Sequence, residues 1–479
     1  MKNRTQEYTQ NSESGLLRKL GLMTAVMIIM GNMIGSGIFK KAAPMADQVQ
    51  SPGLLLVCWL IAGIVTLCGA LSNAEIAGLI SGPGGYYDYF KKMYGRFFAF
   101  MFGWGSFSVM QSASIASIAY IFGHSANALM EFPRMTPEWE QISILGIFFP
   151  FENLGVKIFT IGTLAFITAA NYCGVIFGGV IASISTLLKI IGIMIVVIFG
   201  LFFSSGSYQN LLPLGPSAAA EYNSSLGLFG AMFAAMLGAF WAYDGWNNIT
   251  SLGDEIREPK RNIPLALCFG VAGVIVLYLL VNLAYLYVFP IDQLKELAHK
   301  ENSIVGVEAM RSAFGNGAAQ LVAILILLST FGATNCQLMP TSRTFFAMAR
   351  DGLFFKAAAH CHPRYRTPSI SLVMEGTWAS VLVLTGTFDQ LSDMVIFASF
   401  IFYGAAAFGV FVLRYKMKDV PRVYKVPGYP FVPAFFVLFC MVLVIVTIIQ
   451  QPREAGIGCI LLLSGIPFYL YWSRKCPVS

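Results

Sequence analysis

Long apolar runs recur along the whole chain and restrict its fold more than any other feature. A helix that crosses the hydrocarbon core of a bilayer needs about 20 predominantly apolar residues. Twelve stretches of the sequence are candidates. They are 21–47, 53–80, 97–126, 154–172, 175–203, 226–252, 263–289, 317–348, 369–388, 392–414, 432–450 and 456–473. We therefore predict an all-α integral membrane protein with twelve transmembrane helices.

The composition favours a lipid environment over an aqueous one. Hydrophobic residues make up 57% of the 479 residues and charged residues only 11%, whereas soluble proteins carry about 25% charged residues. Such a chain has too little charge to cover a water-facing surface of its size. The net charge of +7 is explained by basic residues in short loops, so we expect the lipid bilayer, and no nucleic acid, as a partner.

The positions of the basic residues predict the orientation in the membrane. Cytoplasmic loops carry an excess of Lys and Arg, and most of the 31 Lys and Arg residues fall in inside segments if the N-terminus is cytoplasmic. The polar tail 1–20 has no features of a signal peptide. We predict a multi-pass protein of the cell membrane with both termini in the cytoplasm.

The first span contains a cluster of glycines that predicts a break in the helix. Glycines stand at positions 31, 35 and 37, beside an asparagine and a serine, and each costs about 1 kcal/mol in a helix interior. A break offers free N–H groups to an anion and free carbonyl groups to a cation, so a zwitterion fits between its halves. The candidate binding residues are Met33, Ile34, Gly35, Ser36 and Gly37. For this segment alone, a small-residue helix contact through Gly31 and Gly35 is an equal alternative.

The sixth span is interrupted in a similar way. Asp244, Gly245 and Asn247 lie where the bilayer requires apolar residues, and a carboxylate at that depth is costly and points to a function. The alternative is that Asp244 only pairs with Lys189 or a backbone donor. Because two interrupted spans, five apart, occupy matching positions in two halves, they predict an inverted-repeat transporter with its site between them.

Lys189 lies in the middle of the fifth span. Snorkelling to the interface requires a position nearer a helix end, so we expect Lys189 to face the bundle and to bind carbonyl groups freed by the first break. A fixed ammonium there could replace a bound sodium ion. The alternative is a partly snorkelled or lipid-facing lysine.

Other polar residues give weaker signals. Asn282, Ser329 and Asn335 are possible supporting residues, although simple contacts between helices explain them equally well. Glu75 and Glu375 lie near the predicted cytoplasmic ends of their spans, where exposure at the interface is the simplest expectation. The four histidines show no metal-ligand spacing, the cysteines form no CxxC pair, and nucleotide-binding and hydrolase motifs are absent from the sequence. We therefore predict a protein that is not an enzyme and needs no metal, cofactor or disulfide.

Several motifs resemble those of a known family. The motifs are GNMIGSGIF at 31–39, SGPGGYY at 81–87, WAYDGWN at 241–247, DEIREPKRNIP at 254–264, YKVPGYP at 424–430, Ser342-Arg343 and ARDG at 349–352. Together they resemble the amino acid–polyamine–organocation superfamily, and within it the L-type amino acid transporter branch and its bacterial relatives. The motifs cover nearly the whole chain.

The resemblance implies two inverted five-helix repeats, 21–205 and 226–415, followed by two added helices in 416–479. It also implies alternating access and sodium-independent transport, often as exchange. The substrate carboxylate would meet Gly35, Ser36 and Gly37, and its ammonium the carbonyl groups of Met33, Trp241 and Asp244. Trp241 would be the outer gate, Lys189 would occupy the sodium position of sodium-coupled relatives, and Asn247 is a possible supporting residue.

The resemblance does not settle the substrate. An aspartate at the position of Asp244 occurs in members for cationic amino acids and in bacterial members for small neutral ones, so we favour neutral amino acids and keep cationic ones open. A proton-coupled symporter or exchanger is the alternative, and a non-transporting nutrient receptor a weaker one. Animal members that bind a heavy chain use an outer-loop cysteine, and residues 127–153 contain none. We expect no disulfide-linked heavy chain, and the oligomeric state stays open.

Overall fold

The computed structural model describes most of the chain as α-helix. The described residues are 20–80, 84–143, 149–173, 175–216, 222, 224–252, 256–300, 303–365, 367–385 and 388–475. The predicted tail 1–20 lies outside them except for Leu20, as do parts of the motifs at 81–87 and 254–264. Across the described ranges no strand is formed, and the all-α prediction is confirmed.

The helices of the first half cover the first five predicted spans. They are α1 Leu22–Met33, α2 Gly37–Lys40, α3 Ala42–Val49, α4 Pro52–Leu79, α5 Tyr86–Tyr94, α6 Arg96–Gly105, α7 Gln111–Asn127, α8 Pro137–Glu140, α9 Leu154–Tyr172 and α10 Val175–Phe202. A π-helical turn, Ser106–Met110, joins α6 to α7, so the third predicted span bends in its middle.

The second half contains ten further helices. They are α11 Gly227–Tyr243, α12 Pro259–Val288, α13 Ile291–His299, α14 Val305–Phe314, α15 Asn316–Arg350, α16 Ser369–Thr385, α17 Phe388–Lys416, α18 Phe431–Gln450, α19 Pro452–Leu463 and α20 Gly465–Lys475. A 3₁₀ segment, Trp246–Leu252, continues the chain after α11.

Nine helical segments of the described chain are long and apolar enough to cross a membrane, and α1 and α16 are shorter apolar helices. Each of the twelve predicted stretches overlaps one or more helices. A membrane-embedded helical protein is therefore established, whereas twelve crossings and the inverted repeat stay predictions. Large apolar side chains on the outside, such as Phe166, Phe202 and Phe229, suit contact with lipid.

Four helices in the connections, α5, α8, α13 and α14, are not among the predicted elements. They are polar enough to escape a search for apolar runs, and glycines with positive φ mark the ends of α5 and α14. Gly85 (φ +54°) precedes α5, Gly95 (φ +91°) follows it, and Gly315 (φ +80°) follows α14. Glycine adopts these dihedrals without the steric cost of a Cβ atom.

The broken first span lies at the centre of the bundle. Helix α1 packs against α10, α12 and α15, and α11 packs against α2, α3, α4 and α17. The 3₁₀ segment after α11 packs against α1, α15 and α4. The two interrupted spans are thus brought side by side and surrounded by longer continuous helices.

The expected interfacial exposure of Glu75 and Glu375 is wrong, because both side chains are buried. Glu75 accepts two hydrogen bonds from Arg414 at 2.9 and 2.8 Å, one from Arg422 at 3.1 Å and one from the Val426 N–H at 2.7 Å. These bonds tie α4 to α17 and to the segment before α18. The position of each glutamate along its helix does not reveal the neighbours that cover its side chain.

Candidate functional site

The first break separates α1 from α2. The Ile34 N–H donates to the Met30 carbonyl and the Gly35 N–H to the Met33 carbonyl, both at 2.8 Å, and regular helix resumes at Gly37. The N–H groups of Ser36 and Gly37 donate to no atom of the described residues. Lys41 keeps helical dihedrals between α2 and α3, so the helical run continues to residue 49. The break therefore presents free donors at the start of a helical run of more than two turns.

The second break follows α11. Asp244 is extended, with ψ 160°, and its N–H donates to the Trp241 carbonyl at 3.3 Å. Gly245 has φ +97°, in the region that favours glycine, and the 3₁₀ segment then begins at Trp246.

Two glycines hold the breaks in direct contact with each other. A Cβ atom on Gly37 would lie 2.7 Å from the Cα atom of Ala242, and one on Gly245 would lie 2.9 Å from the Asn32 carbonyl oxygen. At each break, the glycine therefore lies directly against the backbone of the other broken span.

The small-residue alternative applies to only one of its two glycines. A Cβ atom on Gly31 would meet Thr186 of α10 at 2.2 Å, which makes Gly31 a close helix contact. The nearest atoms to a Cβ on Gly35 are 3.9 Å away. Gly35 thus has only ordinary contacts, with Ile118 of α7 and with the Met33 carbonyl, and is not a close helix contact.

Lys189 is buried and reaches the first break. Its Nζ donates to the Gly31 carbonyl at 2.7 Å, and only 1% of the residue is exposed, so the lipid-facing alternative is wrong. The Gly31 carbonyl would accept from the N–H of Gly35 in a continuous helix, but that N–H bonds to Met33 instead. The ammonium thus takes the place of a lost helical hydrogen bond.

Tyr278 of α12 links the two breaks, and the sequence analysis missed it. Its hydroxyl lies 2.9 Å from the Met33 carbonyl and 2.9 Å from the Ala242 carbonyl, so it can donate to either. The available signal was its position deep inside a span, where a tyrosine is far from the interfaces that it usually occupies. The Met33 carbonyl thus has two donors in contact, Tyr278 and Gly35, before any substrate arrives.

Asp244 pairs with a tyrosine that was also missed. The Tyr403 hydroxyl of α17 donates to Asp244 Oδ1 at 2.7 Å and lies 3.4 Å from Asn247 Oδ1. Lys189 and Asp244 therefore have separate partners, and the expected alternative of a direct pair between them is not what the structure shows.

A cavity opens between the two breaks. Its wall consists of Asn32, Met33, Gly35, Ser36, Gly37, Ser114, Ile118, Trp241, Asp244 and Gln337. Six of the seven predicted binding residues belong to this wall, and the seventh, Ile34, is buried beside it. The predictions missed Asn32 and three residues of α7 and α15, because those helices carry no break to mark them.

The cavity wall offers unpaired polar atoms. Within the described residues, the Ser36 hydroxyl and Asn32 Oδ1 are buried without a hydrogen-bond partner. Ser114 donates to Gln337 Oε1 at 2.8 Å across the opposite side. Buried polar groups normally find partners, so the first two atoms favour a polar ligand.

Trp241 of the cavity wall forms an aromatic pair with Phe388 of α17. The rings of Trp241 and Phe388 meet edge to face, with centroids 5.8 Å apart. The Lys41 Nζ lies 4.9 Å from the Phe388 ring and donates to Ser392 at 2.8 Å. Trp241 is thus placed where a gate residue could act.

The remaining predicted residues lie away from the cavity wall. Asn282 donates to the Tyr278 carbonyl at 2.8 Å, Asn335 accepts from Asn171 at 2.7 Å, and Ser329 is buried in α15. Asn247 lines a second cavity, described below. Contacts within and between helices therefore account for Asn282 and Asn335.

Comparison with known proteins identifies the family. A model of the amino acid permease family matches residues 20–462. The chain belongs to this family. The resemblance to the amino acid–polyamine–organocation superfamily and its L-type branch is thereby confirmed, and the chain is a membrane transporter of amino acids rather than an enzyme.

Individual members of the family are similar over nearly their whole length. The chain is 30% identical over 469 residues to the serine/threonine exchanger SteT of Bacillus subtilis, covering 98% of this chain and 99% of that protein. It is 29% identical over 467 residues to the mouse b(0,+)-type amino acid transporter 1, covering 96% and 89%. It is 30% identical over 466 residues to the mouse large neutral amino acids transporter small subunit 2, covering 96% and 82%.

Proposed function

We propose that this permease is a sodium-independent amino acid exchanger that works by alternating access and favours neutral amino acids. The single observation that supports this most is the cavity between the two breaks. The wall of this cavity combines free N–H donors, unpaired acceptors and a carboxylate. An α-amino acid carries both charges needed to satisfy such a wall.

The substrate carboxylate would bind at the start of the α2–α3 helical run. The N–H groups of Ser36 and Gly37 are free among the described residues, and the Ser36 hydroxyl is unpaired. The positive end of the helix dipole adds to their attraction for an anion. Gly35 contributes less than predicted, because its N–H already bonds to Met33.

The substrate ammonium would bind at the opposite side of the same cavity. An ammonium has three donors and no acceptor. The Trp241 carbonyl accepts only the long bond from Asp244, and Asn32 Oδ1 is unpaired, so both are available. The Asp244 carboxylate supplies the compensating negative charge. Met33 is a weaker acceptor than predicted, since Tyr278 and Gly35 already contact its carbonyl.

Sodium independence follows in this proposal from Lys189. A sodium ion at the first break would bind carbonyl oxygens freed by the break, and the ammonium already binds one of them. The positive charge that relatives obtain from sodium would here be a permanent part of the protein.

The proposed topology has twelve spans, an inverted repeat of 21–205 and 226–415, and both termini in the cytoplasm. The overlap of the twelve stretches with helices and the reciprocal glycine contacts of the two breaks support it. We further propose that no heavy chain is disulfide-linked to the loop at 127–153, because that loop has no cysteine.

Uptake of a labelled amino acid into proteoliposomes tests the function. We expect uptake when the liposomes contain unlabelled amino acid, little uptake when they are empty, and no change when choline replaces sodium. Strict dependence on sodium would contradict the proposed role of Lys189. Equal uptake into empty and loaded liposomes would contradict exchange.

A further inference from the structure

A second cavity has Asn247 in its wall. Its wall consists of Tyr86, Phe102, Ser106, Gln111, Asn247, Asn248, Thr250, Thr341, Thr344 and Phe345. Hydroxyl and amide groups dominate this wall, which suits entry of water into it. Tyr403 donates to Asp244 of the first cavity and contacts Asn247 of the second, so it touches one residue of each wall.

Thr341 connects the wall of the second cavity to a buried carboxyl group. Its Oγ1 lies 2.5 Å from Oε1 of Glu375 in α16, and Glu375 is fully buried. The other oxygen, Oε2, has no hydrogen-bond partner among the described residues. Glu375 therefore has one polar neighbour, and that neighbour borders the cavity.

The neighbouring elements supply no positive partner for Glu375. Helices α7, α9 and α15 and the 3₁₀ turn Lys356–Ala359 pack against α16. Their titratable and charged groups in the described chain are Tyr120, His124, Lys157, Tyr172, Cys336, Arg343, Arg350 and Lys356. Within the described chain, Glu375 has one side-chain hydrogen-bond partner, Thr341, and none of these groups is bonded to it. An isolated ionised carboxylate in such surroundings is very costly, and protonation removes that cost.

The hydrogen-bond geometry agrees with a protonated carboxyl. Thr341 Oγ1 also lies 2.9 Å from the Gln337 carbonyl, which can only accept. The hydroxyl has one proton and cannot donate to both oxygens at once. If Glu375 carries a proton, it donates to Thr341, and Thr341 donates to Gln337, so both contacts are satisfied.

We propose that Glu375 is a proton-binding site of the transport cycle, in exchange with water in the second cavity through the Thr341 hydroxyl. On release, the O–H bond of Glu375 breaks, Thr341 accepts that proton, and the proton of Thr341 passes to a water molecule; uptake reverses each step. The packing around Glu375 requires the neutral form. Gln337, one turn before Thr341 on α15, lines the substrate cavity, so both sites share one helix. This inference rests on the proposed transport function and deepens it.

The proposal predicts how exchange depends on pH. Ionisation of Glu375 would place an unpaired charge in the packed state, so raising the pH disfavours that state and slows exchange. Wild-type counterflow, measured with equal pH on both sides of the membrane, should fall about tenfold per pH unit above the titration of the group. Glu375→Gln, which stays neutral, should exchange at a nearly constant rate over the same range. Ser380→Ala, which removes a hydroxyl from the same helix, should keep the wild-type profile.

Infrared spectroscopy of the protein in lipid tests the proton itself without relying on transport. The wild type at neutral pH should show a C=O band of a protonated carboxyl that is missing from Glu375→Gln. If Glu375→Gln does not fold, Thr341→Val is the second variant: it keeps the carboxyl but removes its partner, so the band should move to higher frequency.

The outcomes separate the two proposals. A wild type that exchanges amino acids but has the same pH profile as Glu375→Gln, or an infrared spectrum without the carboxyl band, overturns the proton site alone. A wild type that exchanges no amino acid under any condition contradicts the proposed function, while the infrared band still decides on Glu375.

Discussion

The two broken spans meet at one cavity, yet their charged partners lie in different places. The ammonium of Lys189 binds the Gly31 carbonyl and lies outside the cavity wall, so it acts on the backbone of the first break. The carboxylate of Asp244 belongs to the wall itself and is held by Tyr403. The comparison shows that two similar helix breaks can differ in what their charged residue contacts: the backbone at the first break and the cavity at the second. In the proposed function, the charge behind the first break supports every substrate equally, whereas the charge at the second distinguishes between substrates.

Removing the ammonium behind the first break should have the largest effect. Lys189→Ala leaves the Gly31 carbonyl buried and unpaired, and losing a charged hydrogen bond together with that desolvation costs about 3–5 kcal/mol. We expect counterflow of all amino acids to fall by about 100-fold or more. Sodium should partly restore transport in this variant, because a carbonyl site for a cation becomes vacant.

The control for Lys189 is Lys157, another buried lysine of a predicted span. Lys157 also donates to carbonyl oxygens, those of Phe149 and Leu384, far from the breaks. Lys157→Met should reduce stability without creating a response to sodium. Normal transport by Lys189→Ala would show that the first break does not need its cation.

Forcing the two breaks apart should come next in size. In Gly245→Ala the new Cβ would meet the Asn32 carbonyl at 2.9 Å, and the φ of +97° is strained for any residue with a side chain. We expect counterflow to fall by about 10- to 100-fold, since strain of this kind costs about 1–3 kcal/mol. Gly162→Ala, with no atom within 4 Å of the new Cβ, should transport like the wild type. Equal rates in both variants would contradict a functional contact between the breaks.

The carboxylate at the second break should discriminate among substrates. Asp244→Asn keeps an acceptor for Tyr403 but removes the negative charge from the wall. We expect competition by arginine or lysine to weaken about tenfold, because a charged hydrogen bond is worth about 1.5–3 kcal/mol, and competition by neutral amino acids to weaken less. An equal loss for every substrate would mean that Asp244 acts only on the α-ammonium that all substrates share, or supports the broken helix, and does not distinguish between side chains.

The hydroxyl at the first break should have the smallest effect. Ser36→Ala removes one neutral donor to the carboxylate, worth about 0.5–1.5 kcal/mol, and leaves the two N–H groups in place. The apparent KM should rise by about two- to tenfold with little change in the maximal rate. Ser125 is another buried serine with an unpaired hydroxyl among the described residues, and Ser125→Ala should leave the KM unchanged.

The sequence predicted those features that a single segment carries. Three glycines within seven positions predicted the break after α1. A lysine in the middle of a span predicted a partner inside the bundle. Tyr278, Tyr403 and Gln337 could not be found in this way, because their contacts join residues far apart in the chain; Tyr278 and Met33 are separated by 245 positions. Tyrosine is also a common interface residue, which hides the two that matter here.

The two buried glutamates are a second example of contacts that could not be predicted from the sequence. The burial of neither side chain was predicted, because an apolar helix of nearly uniform composition does not reveal which face other helices cover. Glu75 is buried against two arginines and Glu375 against a threonine. Their opposite environments depend entirely on tertiary packing.

The most direct test of the central claim is competition by truncated substrates in sodium-free medium. An amino acid bound between the two breaks uses both of its charges, so losing either should cost at least about tenfold in affinity. For leucine, the decarboxylated and deaminated analogues are isopentylamine and isocaproic acid. The account predicts that both compete at least about tenfold more weakly than leucine for counterflow by the wild type. Inhibition by isopentylamine as potent as that by leucine would contradict binding of the carboxylate at the first break.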